Sequence, residues 1–239
     1  MKHGMRSWFP AGSRRCAFNT RLQWQRRLGW EPREFRRGWD ALKTIEGWRY
    51  RQDLVLLYLL ARDLSGPGVT LEIGSYKGLG TAALAFGARD GGHEKVHTVD
   101  PHTGDRQALE TAGVERLPSQ EDFHRNIAAA GIADIVVAYT MTSDELAARW
   151  MGTTIRFLFV DGWHSYDAVR SDLRNWVPLV TACGGVLVDD YANYPEVAQA
   201  VDDSGDALPP RRVRAGRMHL SSSGPLPPAV QRFLRLPWG

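Results

Sequence analysis

Three aspartates and a histidine stand where short apolar runs end. Asp161 and His164 lie in Phe159-Val-Asp-Gly-Trp-His-Ser-Tyr166, and Asp189 and Asp190 close Gly184-Gly-Val-Leu-Val-Asp-Asp-Tyr191. If these strand ends converge, their carboxylates repel one another unless a cation or a proton neutralises them. An all-oxygen donor set of Asp161, Asp189 and Asp190 suits a hard ion, Mg²⁺ first, with Mn²⁺ or Ca²⁺ as alternatives. The competing reading is that one or two of these acids only cap helices, as Asp161 would before Ser165–Val177. His164 follows Asp161 closely enough to reach the same cavity and take a proton from a polarised hydroxyl, as a general base.

A second segment, Val69-Thr-Leu-Glu-Ile-Gly-Ser-Tyr-Lys-Gly78, reads as a strand running into a glycine-lined turn. Gly74 and Gly78 permit a tight turn and the close approach of a ligand, and the helix start beyond favours negative charge. Asp100 ends the next apolar run roughly 25 residues later, where a carboxylate can accept from ribose hydroxyls. The turn does not fit the dinucleotide pattern GxGxxG, and a purely structural turn with Asp100 capping before Pro101 is the alternative. His102 reads as a polar wall residue, while His3, His93, His97, His124 and His219 carry no signal beyond surface or packing roles. A nucleotide-type pocket beside a carboxylate cluster points to metal-assisted group transfer.

The elements that must position these residues alternate regularly from about residue 40. Strands are expected at 69–73, 96–99, 135–138, 155–160 and 186–188, with helices at 53–63, 78–88, 123–130, 144–150 and 166–177 between and before them. That order predicts right-handed crossovers and a mostly parallel sheet covered on both faces. Near-continuous apolar strands such as Arg156-Phe-Leu-Phe-Val160 suit buried positions in it. In such sheets ligands bind beyond the carboxyl ends of the strands. One or two further antiparallel strands are expected around 212–220, then a loosely held tail. The division is an N-terminal extension at 1–44, the main domain at 45–220 and a tail at 221–239. Thr103 to Pro118 reads as a polar insertion near the ligand.

The chain has 239 residues and a net charge of +3, unevenly spread. Arginines recur from Arg6 to Arg51, interleaved with Trp8, Trp24, Trp30, Trp39 and Trp48. This stretch could pack its tryptophans on the core, cover the acceptor or form a dimer contact, or hold a membrane surface or nucleic acid. Cys16 and Cys183 make neither a disulfide framework nor a CxxC metal pair. No apolar run is long enough to span a bilayer, and Arg6, Arg14, Arg15 and Arg21 interrupt any signal-peptide core. A cytoplasmic location is expected.

The motifs Glu72-Ile-Gly-Ser-Tyr-Lys-Gly78, Val99-Asp-Pro-His102, Phe159-Val-Asp-Gly-Trp-His-Ser-Tyr166 and Gly185-Val-Leu-Val-Asp-Asp-Tyr191 resemble the class I S-adenosylmethionine-dependent methyltransferases. Within them the likeness is greatest to the metal-dependent, macrocin-type O-methyltransferases that act on sugars, glycosides and polysaccharides. It covers about residues 45–205. The resemblance implies a Rossmann-like α/β fold with a seven-stranded sheet, mostly parallel, whose last strand is antiparallel. It implies that Glu72, Gly74, Ser75 and Tyr76 surround the methionine part of the cofactor, that Asp100 lies on the ribose, and that Gly78 and Asp161 also bind the cofactor. Thr142 and Ser143 match the adenine region, Asp161, Asp189 and Asp190 the Mg²⁺ ligands, and His164 the base. Catechol-type relatives carry lysine where this chain has His164, which favours an alcohol over a phenol. A homodimer acting on a small-molecule or oligosaccharide acceptor is expected, without a nucleic-acid partner.

Other functions stay open on the residues alone. Methylation of a catechol or phenol is one. A nucleotide-binding oxidoreductase is another, which the missing GxGxxG opposes. A third is an RNA-binding protein using the arginine-rich arm, although the aromatic-flanked Pro-Pro motif of base-directed methyltransferases is absent near the fourth strand.

Overall fold

The computed structural model describes residues 31–93, 95–104 and 119–236. The arm before Glu31 and most of the 103–118 insertion therefore lie outside the described residues.

The chain order is α1 (Arg33–Leu42), α2 (Arg51–Asp63), β1 (Val69–Ile73), α3 (Leu79–Asp90), β2 (Val96–Val99), α4 (Gln120–Ala129), β3 (Val136–Tyr139), α5 (Ser143–Ala147), β4 (Ile155–Val160), α6 (Tyr166–Trp176), β5 (Val180–Val188), α7 (Pro195–Asp203), β6 (Arg211–Ala215), β7 (Met218–Ser222) and α8 (Pro228–Leu234). One seven-stranded sheet runs in the order β3-β2-β1-β4-β5-β7-β6. The five strands from β3 to β5 are parallel, and β7 runs antiparallel to both β5 and β6. The strand–helix alternation predicts this mostly parallel sheet, and the resemblance implies its seven-stranded Rossmann-like form.

Alternate residues along each strand feed two cores, as the pleat requires. Phe157, Phe159, Leu187 and Leu220 face one side, under α1, α2, α3 and α8. Leu71, Ile73, Leu158, Val160, Val186 and Val188 face the other, under α6 and α7. Every residue from Leu54 to Ala61 is buried, so α2 is a central helix and not an amphipathic surface one. It approaches α3 closely because Gly87 has no side chain; a Cβ there would lie 2.3 Å from the Tyr58 carbonyl oxygen.

Packing extends on both sides of the span expected for the main domain. Phe35 and Leu42 bury one face of α1, and a Cβ at Gly38 would meet the Phe86 ring at 2.9 Å. Arg51 holds Glu31 in a buried bidentate pair, at 2.7 Å for each contact, and stacks on Trp39. The tail, expected to be loose, instead forms α8 with Val230 and Phe233 buried. β5 also starts earlier than its apolar run suggests, because Val180–Gly185 joins through a register shift in its pairing with β4.

That irregularity surrounds Arg156, a fully buried arginine. Its Nη1 donates to the Leu64 carbonyl at 3.1 Å and its Nη2 to Thr70 Oγ1 at 3.2 Å, so it caps the far end of α2 against β1. With only neutral acceptors beside it, burial lowers its pKa to about 10.

Candidate active site

The hydrogen-bond ladder continues one residue past the strands and sets the candidate residues in register. Gly74 N donates to Val99 O, Asp161 N to Ile73 O, Asp189 N to Val160 O and Asp100 N to Tyr139 O. Glu72, Asp100, Asp161, Asp189 and Asp190 therefore share the carboxyl edge of the sheet. Three non-glycine residues at this edge adopt left-handed backbone: Tyr76 (φ 46°), His102 (φ 54°) and Asp190 (φ 56°). Such conformations cost free energy and concentrate where a side chain must be aimed.

Gly74 serves a purpose that sequence reasoning did not foresee. Its φ is +85°, and a Cβ would stand 2.1 Å from the Asp161 carbonyl oxygen. The close approach it permits is that of the β1 turn to the β4 turn. Gly78 caps α3 in left-handed backbone (φ 89°), where a Cβ would meet Ile127 and Phe123.

Glu72 is fully buried, and its Oε2 accepts from Thr81 at 2.5 Å and Thr98 at 3.0 Å. Its Oε1 is buried without a hydrogen-bond partner, and so is the Ser75 hydroxyl. Burial raises Glu72 to about 7, against the pull of Thr81 and the Arg49 charge. Two orphaned polar atoms, one of them a carboxylate oxygen, fit a ligand bearing an ammonium group and further polar atoms.

Asp100 is fully engaged. Its Oδ2 accepts from the Ser75 and Tyr76 amides at 2.9 and 2.7 Å, and its Oδ1 from His102 N at 2.7 Å. It thus fixes the glycine turn. The His102 ring is buried against Phe123, with Nδ1 2.8 Å from Ser119 Oγ, and burial lowers its pKa. Thr142 caps α5 by accepting from Glu145 N, and Glu145 reaches back to Thr142 N at 2.9 Å. Ser143 Oγ accepts from Trp176 Nε1 at 2.7 Å.

Asp161 does not cap α6, because Ser165 does so through Ala168 N. Asp161, His164 and Asp190 come together, with one potential ligand atom from each within 4.8 Å of the others. His164 stacks flat on Tyr194, with ring centroids 4.3 Å apart at 6°. Its Nε2 lies 3.1 Å from Asp190 Oδ2 yet is buried without an aligned hydrogen bond. Two carboxylates, Asp161 and Asp190, within reach of one point fit a hard cation there, with the His164 ring at its side. Burial, the Asp189 charge and the Asp190 charge push Asp161 well up, although Arg49 opposes them. Burial also acts upward on Asp190, but His164 and Arg217 outweigh it and hold its carboxyl below the usual range.

Asp189 is placed differently. Its Oδ2 receives Arg49 Nη1 at 2.7 Å and Arg217 Nη2 at 3.0 Å, and its Oδ1 accepts from Asp190 N at 2.8 Å. Arg49 also binds Asp161, while Arg217 reaches Asp190 at 3.4 Å and Asp53 at 3.6 Å. Sequence reasoning missed Arg49, Arg217 and Asp53. Arg217 follows Gly216 (φ 64°) in the β6–β7 turn, which is a readable hairpin signal, but Arg49 is one arginine among many. Behind the Gly162 turn lies Asp172, 5% exposed and bonded to Ser143.

Comparison with known proteins agrees with this geometry. Residues 71–191, just over half of the chain, match the family described as methyltransferase domain. The fold is similar to that of the O-methyltransferase NovP, with a TM-score of 0.61 at 20% identity over 73% of this chain and 80% of NovP. It is similar to CalS11, calicheamicin methyltransferase, with a TM-score of 0.54 at 19% identity over 74% of this chain and 80% of CalS11. The methyltransferase PaMTH1 of Podospora anserina, solved with S-adenosylhomocysteine bound, gives a TM-score of 0.57 at 16% identity over 92% of this chain and 100% of PaMTH1. With its sheet order, its glycine turn and its matched residues in agreement, the chain belongs to the methyltransferase domain family and is a class I S-adenosylmethionine-dependent methyltransferase.

Proposed function

We propose that the protein is an O-methyltransferase acting on a hydroxyl of a sugar, glycoside or polysaccharide, with Mg²⁺ at the acid cluster. The observation that carries this reading is the Asp161–His164–Asp190 cluster on the same carboxyl edge of the sheet as the orphaned Glu72 and Ser75 atoms. CalS11, similar in fold, is described as a TDP-rhamnose 3′-O-methyltransferase, which supports a sugar acceptor.

Glu72, Gly74, Ser75, Tyr76 and Gly78 would hold the methionine part of the cofactor, Asp100 its ribose, and Thr142 and Ser143 its adenine. Asp161, Asp189 and Asp190 would hold the ion. When bound, the cofactor supplies an electrophilic methyl and the ion acidifies the acceptor hydroxyl. The chain's own part is to orient that hydroxyl and to take its proton at His164 as its oxygen gains the methyl. Tyr194 keeps the imidazole plane fixed for that transfer. Trp48 and Trp163, both exposed beside the cluster, offer flat faces to sugar CH edges. A cytoplasmic homodimer belongs to the same reading, and light scattering tests the dimer.

The decisive experiment is methyl transfer from labelled S-adenosylmethionine to a panel of sugars, glycosides and catechols, with Mg²⁺ or with EDTA. Transfer to a glycoside that EDTA abolishes is expected. Transfer that survives EDTA removes the metal role, and preference for catechols removes the sugar.

A further inference from the structure

Arg49 is the one side chain of its segment that turns inward. Trp48 before it is 68% exposed and Tyr50 after it 50%, whereas the Arg49 side chain is 7% exposed. Its guanidinium joins Asp161 to Asp189, lies 4.8 Å from the centre of the Phe159 ring, and runs beside Glu72. Arg217 touches Asp53, Asp189 and Asp190. Withdrawing Arg49 would thus strip Asp161 of the guanidinium it now holds and leave Asp189 with Arg217.

Resting on the cation site proposed above, we infer that Arg49 is a resident counter-cation that a divalent ion must displace. Both carry positive charge, and both draw on the Asp161 carboxylate, which Arg49 now holds and which belongs to the cation cluster. At contact distances their repulsion inside a partly buried site is large compared with that in water. The fraction of molecules with Arg49 withdrawn then scales the apparent ion affinity.

What holds the segment in place is breakable. Glu46 pairs with Lys77 at 2.7 Å on the surface, Trp48 lies on Tyr76 with centroids 4.9 Å apart, and Trp48 O accepts from Arg217 at 3.2 Å. Release of Arg49 therefore frees residues 46–49 beside the site, with Tyr50 kept as the cap of α2, and ion loading and acceptor access become one event. Arg49 acts through the aspartates, as a positioning residue.

The test is Mn²⁺ binding, followed by electron paramagnetic resonance of the free ion, to wild type, Arg49→Gln and Arg49→Lys. Arg49→Gln should bind Mn²⁺ about tenfold more tightly or better, with Arg49→Lys in between. Equal or weaker binding by an Arg49→Gln protein that still melts cooperatively overturns the inference alone. Absence of Mn²⁺ binding from all three overturns the inference and the cation reading together. Calorimetry with S-adenosylhomocysteine on the same preparations tests the methyltransferase assignment separately. Should Arg49→Gln fail to fold, hydrogen exchange of wild type decides. Mg²⁺ should speed exchange at residues 46–49, and unchanged or slower exchange overturns the inference.

Discussion

Asp172 shows what a buried carboxyl without a cation does to stability. Burial drives its pKa from 3.8 to about 7, with Ser143 opposing the rise and Asp144 adding to it. The folded state therefore holds this proton more tightly than the unfolded chain does. Its contribution to stability is complete below pH 3.8, falls as pH rises, and is gone once pH passes about 7. Asp172→Asn should thus gain on wild type between pH 5 and pH 8, by about 1–3 kcal/mol in urea unfolding. An unchanged difference between the two pH values would show that Asp172 is ionised throughout. Glu72→Gln should retain the fold but lose roughly 10–100-fold in S-adenosylhomocysteine affinity, the worth of one charge-assisted hydrogen bond. His164→Ala should lose on the order of 10²–10⁴ in turnover while still binding S-adenosylhomocysteine, if it is the base. At this scale the sequence displayed the acids and the histidine, because they end apolar runs. It did not display which acid a guanidinium would take, since Arg49 and Arg217 reach Asp189 from elements far apart in the chain.

Among the elements, the parallel strands were legible because each is a short apolar run before a turn residue. The first half of β5, Val180-Thr-Ala-Cys-Gly-Gly185, was not, since it joins the sheet through an irregularity rather than through apolar alternation. α8 escaped notice because its prolines mark a helix start as readily as a loose tail. The turns between elements carry the sharper prediction. Gly74→Ala adds a Cβ 2.1 Å from the Asp161 carbonyl oxygen in left-handed backbone, so the β1 and β4 turns must part. The expected loss is about 2–4 kcal/mol, read by thermal or urea unfolding, together with cofactor binding. Gly152→Ala, also left-handed (φ +76°) but with nothing within 4 Å, should lose only about 1 kcal/mol. Similar losses at the two positions would show that backbone strain alone, and not the contact, sets the value.

The whole molecule gathers the candidate site residues at the carboxyl edge of the sheet and sets Arg156 at the opposite edge. Saturating S-adenosylhomocysteine should raise stability by about 2.7 kcal/mol at a hundredfold excess over its dissociation constant, visible as a higher melting temperature. A melt that does not move would argue against cofactor binding. Among the described residues no helix is long and apolar enough to cross a membrane. Arg156, at the edge away from the site, ties the last turn of α2 to β1, and α2 itself is buried from Leu54 to Ala61. Such a helix behaves as a fixed beam clamped at its far end. Any swing of the Glu46–Arg49 strap must pivot ahead of that beam, between Lys43 on one side and the Tyr50 cap on the other. The reach of Arg49 is then set by the length of that short tether, not by any sliding of the helix it introduces.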